Sequence, residues 1–191
     1  PMAVAYNTIG YDAQVVGNHE FNYGLGLLGA YVGAADFPVL GANVIDEATG
    51  KPYLKPYTII TKAVPGGKPV KIGVLGITNP GSAIWDAANV TGKVRFDDMV
   101  KTAATWVPVM KAKGADIVVV LAHGGVGGTS SYGGSLPVEN PDDQIAAQVP
   151  GIDVVVVGHS HLDKPVQWVT NTATGKQVLL KIGRASCRER V

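Results

Sequence analysis

Two unbroken apolar strands, each followed by histidine, constrain this chain more than any other feature. IVVVLA (117–122) is followed by His123, and VVVVG (154–158) is followed by His159 and, two residues later, His161. Strands that are apolar at every position are usually buried on both faces. Ligands of such sheets collect beyond the carboxyl ends of the strands. The sequence therefore predicts an α/β fold with its chemistry at one rim of a sheet.

Shorter apolar runs and helical stretches alternate along the rest of the chain, which is typical of layered α/β domains. We predict strands at 13–16, 38–43, 57–63, 70–77, 116–122 and 153–157, and a hairpin from 166–171 and 177–181. We predict a short helix at the start of the chain, in 1–10, and helices at 25–35, 97–113 and 141–149. In the helix at 97–113, Met99, Ala103, Trp106 and Met110 share one face, which we expect in the core. We expect helices to cover the apolar strands on each side.

Composition excludes several classes of protein. The 25 glycines among 191 residues and the charged fraction of 16% indicate many tight turns between buried segments, and they argue against disorder and coiled coil. The apolar runs are far shorter than the roughly 18 residues that cross a bilayer, so no membrane span is expected. The formal net charge of +1 does not indicate the strongly basic surface with which proteins bind nucleic-acid polymers.

The segment 182–191 has to be considered separately. Its sequence, IGRASCRERV, contains the only cysteine, Cys187, and resembles a translated sequencing adapter. We therefore predict that 182–191 is a non-native tail and leave it out of the fold prediction. The remaining residues, 1–181, would be part of one domain. The alternative is a native basic tail that contacts an anionic partner. Without this segment the chain lacks cysteine, and no disulfide framework is supported.

All four histidines follow predicted strands, and His19 does so after AQVVGN. A single loop histidine is more often a hydrogen-bonded spectator than a ligand. We expect these loops to converge, however, because three strands of one sheet would deliver their carboxyl ends to the same rim. Imidazole clusters at such a rim suit divalent metals, and the spacing of His159 and His161 could serve two adjacent ions.

The motifs GNHE at 17–20, a histidine after a buried strand, and GHSH at 158–161 together resemble the calcineurin-like metallophosphoesterases. Longer stretches resemble the 5′-nucleotidase group of that family: GYDAQVVGNHEFNYGL, FPVLGANV, KIGVLGIT, IWDAANVTGKV, GADIVVVLAHGG and PGIDVVVVGHSH. The pattern WD-AN-x-TGKV, together with Asn22, most resembles the 2′,3′-cyclic-nucleotide 2′-phosphodiesterase/3′-nucleotidase branch. The resemblance covers nearly all of 1–181. It implies a partial catalytic domain of layered sheets flanked by helices, incomplete at both ends.

The resemblance also implies an activity and a set of site residues. The protein would hydrolyse nucleotides or other small phosphoesters with a hydroxide activated by two divalent metal ions, which could be manganese, zinc, cobalt or iron. Asn18, His123 and His159 would bind one ion, and His161 the other. His19 would lie beside the scissile phosphate and stabilise the charge that develops there, or assist the leaving oxygen. Its catalytic partner would be Asn22, where the plain 5′-nucleotidase branch has an aspartate.

Two parts of the family pattern lie outside this chain. The upstream Asp-x-His and Gly-Asp motifs, which include the carboxylate that bridges the metals, have no counterpart before Gly17. We interpret this as truncation and expect a three-ligand half-site with little activity of its own. We also expect the carboxyl-terminal domain that supplies the nucleoside pocket in relatives to be missing. By resemblance the full protein would be periplasmic, cell-surface or secreted, and would serve nucleotide catabolism.

Two hypotheses of other classes remain. In the first, a catalytically inactive metal-binding or interaction module natively lacks the acidic ligands. In the second, GLGLLG at 24–29, with Asp46 and Glu47 about twenty positions later, marks a nicotinamide-dependent oxidoreductase. That fingerprint must open a helix directly after a strand, and we expect these glycines to allow close helix packing instead. For Trp85 we expect a place in the core.

Overall fold

The computed structural model describes residues 2–162 and 164–182. Within them the chain forms the helices α1 Met2–Ile9, α2 Gly24–Ala34, α3 Ser82–Trp85, α4 Ala87–Val90, α5 Met99–Ala112 and α6 Asp142–Gln148. The strands are β1 Gln14–Val15, β2 Val39–Leu40, β3 Val44–Asp46, β4 Tyr57–Lys62, β5 Val70–Thr78, β6 Val94–Phe96, β7 Ile117–His123, β8 Val154–Val157, β9 Lys164–Thr170 and β10 Gln177–Ile182. A short 3-10 helix, His19–Phe21, follows β1.

A six-stranded sheet forms the centre of the fold, in the order β4-β5-β7-β8-β10-β9. Its four inner strands are parallel, and β4 and β9 pair antiparallel at the two edges. Ala122 of β7 pairs with Val157 of β8, so the residues that follow each strand emerge side by side. The predicted α/β class is confirmed, and the register brings His123 and the GHSH loop to the same end of the sheet.

Different layers cover the two faces of the central sheet. Gly73 and Gly76 of β5 face opposite sides because side chains alternate along a strand. A Cβ at Gly73 would meet Met110 of α5, whereas one at Gly76 would lie 2.3 Å from the Cβ of Leu40 in β2. Helices flank the layered sheets as predicted, but the β1–β2 pair lies between the central sheet and α2. Gly76 permits this close approach because it has no side chain.

Two apolar clusters hold the layers together. The first joins the central sheet to α5 and α6, and it buries Met99, Ala103 and Met110 with Trp106 packed against it. The predicted core face of the helix at 97–113 is therefore confirmed. The second cluster joins α2 to the small sheets around Phe21. Complete burial of a methionine, leucine or phenylalanine side chain contributes about 1.5–3 kcal/mol to the stability of the fold. These clusters therefore hold in place the strand ends that carry the histidines.

Five short elements were not predicted, namely β3, β6, α3, α4 and the 3-10 helix His19–Phe21. Each has three or four residues, too few to show a period of hydrophobicity. β3 and β6 pair antiparallel as a separate two-stranded sheet. The helices α3 and α4 follow each other directly around Asp86. This junction, which lies in the WDAAN stretch, turns out to support the candidate site.

The end of the chain can be compared with prediction only in part. Ile182, the first residue of the predicted tail, is buried at the end of β10 and pairs with Val157 of β8. Residues 183–191, including Cys187, lie outside the described residues, so the origin of the tail stays a prediction. Among the helices within 2–162 and 164–182, none has the length and apolar character required to cross a membrane.

Candidate metal centre

Three loops bring the predicted site residues to one end of the central sheet. Asn18 and His19 follow β1, His123 ends β7, and His159 and His161 follow β8. The expectation that three strands of one sheet deliver these residues was wrong, because β1 belongs to the separate β1–β2 sheet. The loops nevertheless meet, since β1 packs against β5 and β7 of the central sheet.

Three of the predicted ligands lie close together. The Oδ1 atom of Asn18 lies 2.9 Å from Nε2 of His123. The ring centroids of His123 and His159 are 5.4 Å apart. All three residues are partly buried. The structure thus gathers one carboxamide and two imidazoles from positions far apart in the sequence.

The His123 ring lies between two glycines. A Cβ at Gly17 would lie 2.7 Å from Cε1 of the ring, and one at Gly158 would lie 3.0 Å from Nδ1. Carbon atoms in contact are ordinarily about 3.5–4.0 Å apart, so any larger residue would displace the imidazole. The GNHE and GHSH motifs therefore provide the space for His123 as well as candidate ligands.

This arrangement predicts that Gly17→Ala destabilises the protein by about 1–3 kcal/mol, because the added methyl group overpacks the His123 ring. The matched control is Gly26→Ala in α2, where nothing lies within 4 Å of the added Cβ. That change should stabilise the helix by about 0.5–1 kcal/mol. Urea titrations of both variants give the free energies of unfolding. A Gly17→Ala variant as stable as the original would show that His123 moves aside without cost.

Burial lowers the pKa of His123 to about 4, and the charges of His159, His19 and His161 act in the same direction. The ring is therefore neutral at neutral pH. Metal ions bind the unprotonated imidazole nitrogen. His123 thus needs no proton loss to become a ligand at neutral pH.

Two neighbours hold the ring of His159. Its Nε2 lies 2.9 Å from Oε1 of Glu139, and Trp85 stacks on it at a centroid distance of 5.5 Å and an interplanar angle of 27°. Glu139 is buried, and its other oxygen accepts the Ser131 N–H at 2.5 Å. Burial acts to raise the pKa of Glu139, but hydrogen bonds from Ser131 and His159 lower this pKa below its usual value. Carboxylates in this position orient metal-binding histidines.

Glu139 was not identified from the sequence, and the place expected for Trp85 was wrong. No motif marks Glu139, which lies in the long loop between β7 and α6. Trp85 is 40% exposed and meets the ring of Tyr132 edge to face at 6.0 Å. The expectation of core packing was wrong because the indole lies over His159 instead of entering either apolar cluster.

The GHSH loop has an unusual backbone. His159 and His161 have φ angles of 65° and 53°, in the left-handed region that non-glycine residues rarely adopt. Such conformations cluster at functional sites. The His161 side chain is exposed, whereas those of His123 and His159 are partly buried. His161 thus lies at the outer side of the group.

His19 and Asn22 form a second group beside the first. Nδ1 of His19 lies 2.7 Å from Oδ1 of Asn22. Nδ2 of Asn22 donates to Oδ1 of Asp86 at 2.8 Å. Asn89 donates its side-chain N–H groups to the carbonyls of Phe21 and Asn22. The WDAAN stretch, for which the sequence indicated no role, therefore supports the predicted catalytic pair.

The donor set fits part of a divalent-metal site. Across residues 2–162 and 164–182, no group of three or more His, Cys, Asp or Glu side chains is placed to hold a metal ion. The donors that do converge are the amide oxygen of Asn18 and the imidazoles of His123 and His159. Mixed oxygen and nitrogen donors of this kind suit manganese, iron, cobalt or zinc. They are the residues that could hold one ion.

The GLGLLG motif does not form a dinucleotide site. Its glycines lie within α2, which follows the 3-10 helix and not a strand. The fingerprint requires a strand-to-helix turn, so the oxidoreductase hypothesis is excluded. The expected close packing of these glycines was also wrong in part, because open space surrounds the Cβ positions of Gly26 and Gly29.

The layered sheets and the histidine loops at their rim define the calcineurin-like phosphoesterase class. The model of the calcineurin-like phosphoesterase family matches residues 6–163, and the chain belongs to this family of enzymes. The family resemblance predicted from GNHE and GHSH is thereby confirmed.

Particular relatives agree with the predicted branch. The chain is 44% identical to a 2′,3′-cyclic-nucleotide 2′-phosphodiesterase/3′-nucleotidase of Yersinia enterocolitica over 165 residues, which cover 84% of this chain and 25% of the relative. The Haemophilus influenzae protein of the same name is 43% identical, with 84% and 24% covered. The crystal structure of calcineurin-like phosphoesterase YfkN from Bacillus subtilis has a TM-score of 0.83 at 34% identity, covering 95% of this chain and 57% of that one. The chain thus spans about a quarter of the length of these curated relatives.

Proposed function

We propose that this chain forms part of the active site of a metal-dependent phosphoester hydrolase acting on nucleotides. Its activity would be that of a 5′-nucleotidase or of a 2′,3′-cyclic-nucleotide phosphodiesterase/3′-nucleotidase. The observation that carries the proposal is the approach of Asn18 Oδ1 to His123 Nε2 at 2.9 Å, with His159 beside them. Because His19 directly follows Asn18, a candidate acid–base group lies next to these candidate ligands.

The candidate ligands divide between two ions. Asn18, His123 and His159 would hold one divalent ion, and His161 would contribute to the other; manganese, zinc, cobalt and iron all suit these donors. When bound, such ions polarise the phosphate and acidify an attacking water. Glu139 would fix the orientation of the His159 ring through its hydrogen bond to Nε2. That bond leaves Nδ1 as the nitrogen that His159 would offer to a metal.

His19 would act on the phosphoester itself. Its side chain is exposed, and its Nδ1 is engaged by Asn22. Nε2 is therefore the nitrogen through which it would meet a phosphate oxygen. When the ring also carries a proton at Nε2, it would stabilise the charge that develops on the phosphate there or give that proton to the leaving oxygen.

The nucleotide substrate and the cellular setting rest on the relatives. Both curated relatives are named for activity on nucleotides, and the chain covers about a quarter of each. In the whole protein a carboxyl-terminal domain would supply the nucleoside pocket. The protein would act outside the cytoplasm, in the periplasm, at the cell surface or as a secreted enzyme, and would serve nucleotide catabolism.

One observation favours a second candidate, a catalytically inactive metal-binding or interaction module. In the part of the chain that the structure describes, His and carboxylate side chains do not assemble into a complete metal-binding group. If the whole protein also lacks bridging carboxylates, it could bind one ion without hydrolysing a phosphoester. An upstream Asp-x-His and Gly-Asp in the complete gene would argue for the enzyme.

The proposal is tested on the protein encoded by the complete gene. We expect hydrolysis of 5′-nucleotides, 3′-nucleotides or 2′,3′-cyclic nucleotides, falling by about 100-fold or more after chelation and returning when Mn²⁺ is added, because the ions contribute several kcal/mol to the reaction. The same titration with Mg²⁺ and Zn²⁺ would rank the metals. Hydrolysis that resists chelation would contradict the metal mechanism. Metal binding without any hydrolysis would identify the inactive module.

A further inference from the structure

We propose that Asp86 is a positioning residue that determines, through Asn22, which nitrogen of the His19 ring carries the proton. The inference rests on the proposed function, because His19 acts on the phosphoester there. The family resemblance assigns no role to Asp86. The structure connects the three side chains in a row, with Asp86 at the buried end and His19 at the exposed end.

The direction of the hydrogen bonds follows from the chemistry of each group. Asp86 Oδ1 lies 2.8 Å from Nδ2 of Asn22. A carboxylate only accepts hydrogen bonds, so Asn22 has to turn its amide nitrogen towards Asp86. The amide oxygen of Asn22 then faces Nδ1 of His19 at 2.7 Å, and it too can only accept. Nδ1 of His19 must therefore carry the hydrogen, which makes Nε2 the unprotonated nitrogen of the neutral ring.

Asp86 is well placed to impose this orientation. It is 5% exposed at the junction of α3 and α4. Its N–H donates to the Ser82 carbonyl, and its own carbonyl accepts from Asn89 and Val90. The Asn89 side chain also donates to the backbone carbonyl of Asn22. One short segment thus holds both the main chain and the side chain of Asn22.

A purely structural role explains the Asp86 side chain less well. Its Oδ2 atom is buried and has no hydrogen-bond partner among the residues that the structure describes. A buried acceptor without a partner costs stability, so this carboxylate is not placed to make the fold as stable as it can be. In the plain 5′-nucleotidase branch a carboxylate would contact the catalytic histidine directly. In this chain a carboxylate lies behind a neutral amide.

The test exchanges the carboxylate of Asp86 and the amide of Asn22. Asp86→Ala should release Asn22 and lower kcat about 10- to 100-fold with little change in KM, a part of the 10²–10⁴ that a positioned acid–base group contributes. Asn22→Asp should also lower kcat, because it sets two carboxylates against each other. The double variant Asn22→Asp/Asp86→Asn should restore kcat to within a few-fold. In that variant the amide at position 86 donates to the carboxylate at position 22, which accepts from His19.

The same variants have a readout that does not depend on hydrolysis. The ¹⁵N chemical shifts of His19 in metal-free protein report whether Nδ1 or Nε2 of the neutral ring carries the proton. We expect the Nδ1–H form in the original protein and in the double variant, and a mixture of both forms in Asp86→Ala. The control is Asp36→Ala, which removes an exposed loop carboxylate and should change neither the shifts nor kcat.

The outcomes separate this inference from the proposed function. An unchanged His19 tautomer in Asp86→Ala, or a double variant no better than Asn22→Asp alone, would overturn the role of Asp86. If the tautomer changes as expected but the original protein hydrolyses no phosphoester, the positioning role stands and the proposed function fails. Circular dichroism shows whether each variant is folded, and the double variant keeps the test decisive if Asp86→Ala does not fold.

Discussion

His123→Ala is expected to remove bound metal and activity together. His123 Nε2 lies 2.9 Å from Asn18 Oδ1, and the ring fills the space between Gly17 and Gly158. Neither glycine has a side chain that could take over as a ligand. Metal content measured by mass spectrometry should fall at least tenfold, and kcat/KM by about 10³-fold or more, since the ions contribute several kcal/mol. His159→Ala should act in the same way.

The His123→Ala variant should still fold. Burial lowers the pKa of His123 to about 4, so the residue removed is neutral and no charge is left without its partner. Gln148→Ala, an exposed change at the end of α6, is the control and should keep both metal and activity. Full metal content in a folded His123→Ala variant would show that this imidazole is not a ligand.

His19→Ala is expected to give the complementary result, with metal retained and turnover lost. The His19 side chain is exposed, and its Nδ1 is hydrogen-bonded to Asn22. Its removal should therefore leave Asn18, His123 and His159 in place. The loss in kcat should be about 10²–10⁴, the range for a positioned acid–base group.

Metal analysis and kinetics on the same preparation of His19→Ala decide whether His19 binds the metal or acts on the phosphoester. Loss of metal from this variant would mean that His19 is itself a ligand, and the roles proposed for the histidines would have to be exchanged. His19→Gln is a useful companion variant, because its amide can hydrogen-bond to a phosphate but cannot transfer a proton. Substantial activity in His19→Gln would indicate that His19 stabilises charge and does not act as an acid.

The parts of the fold that could be predicted are those with strong local patterns. The valine-rich strands β7 and β8 are apolar at consecutive positions, and their parallel pairing places His123 near His159. The strands β1 and β2 lie within the predicted runs 13–16 and 38–43, but their pairing in a separate sheet could not be predicted. Its position depends on the contact between Gly76 and Leu40, which are far apart in the sequence.

In the candidate site, too, only the residues that belong to local motifs could be predicted. Motifs identified Asn18, His19 and the three other histidines, because the residue types and their places after strands indicate metal chemistry. The supporting residues Glu139, Trp85 and Asp86 were not identified as such. Each acts through one long-range contact, and neither periodicity nor spacing carries information about such a contact. Only the folded chain shows that α3 and α4 reach both His159 and Asn22.

The backbone of the GHSH loop has a consequence for engineering. His159 and His161 hold φ angles that glycine adopts without strain. A laboratory selection for heat resistance alone would therefore favour glycine at these two positions and discard the imidazoles. Libraries built on this scaffold need a simultaneous screen for turnover, because at this loop thermal tolerance and chemistry favour different residues.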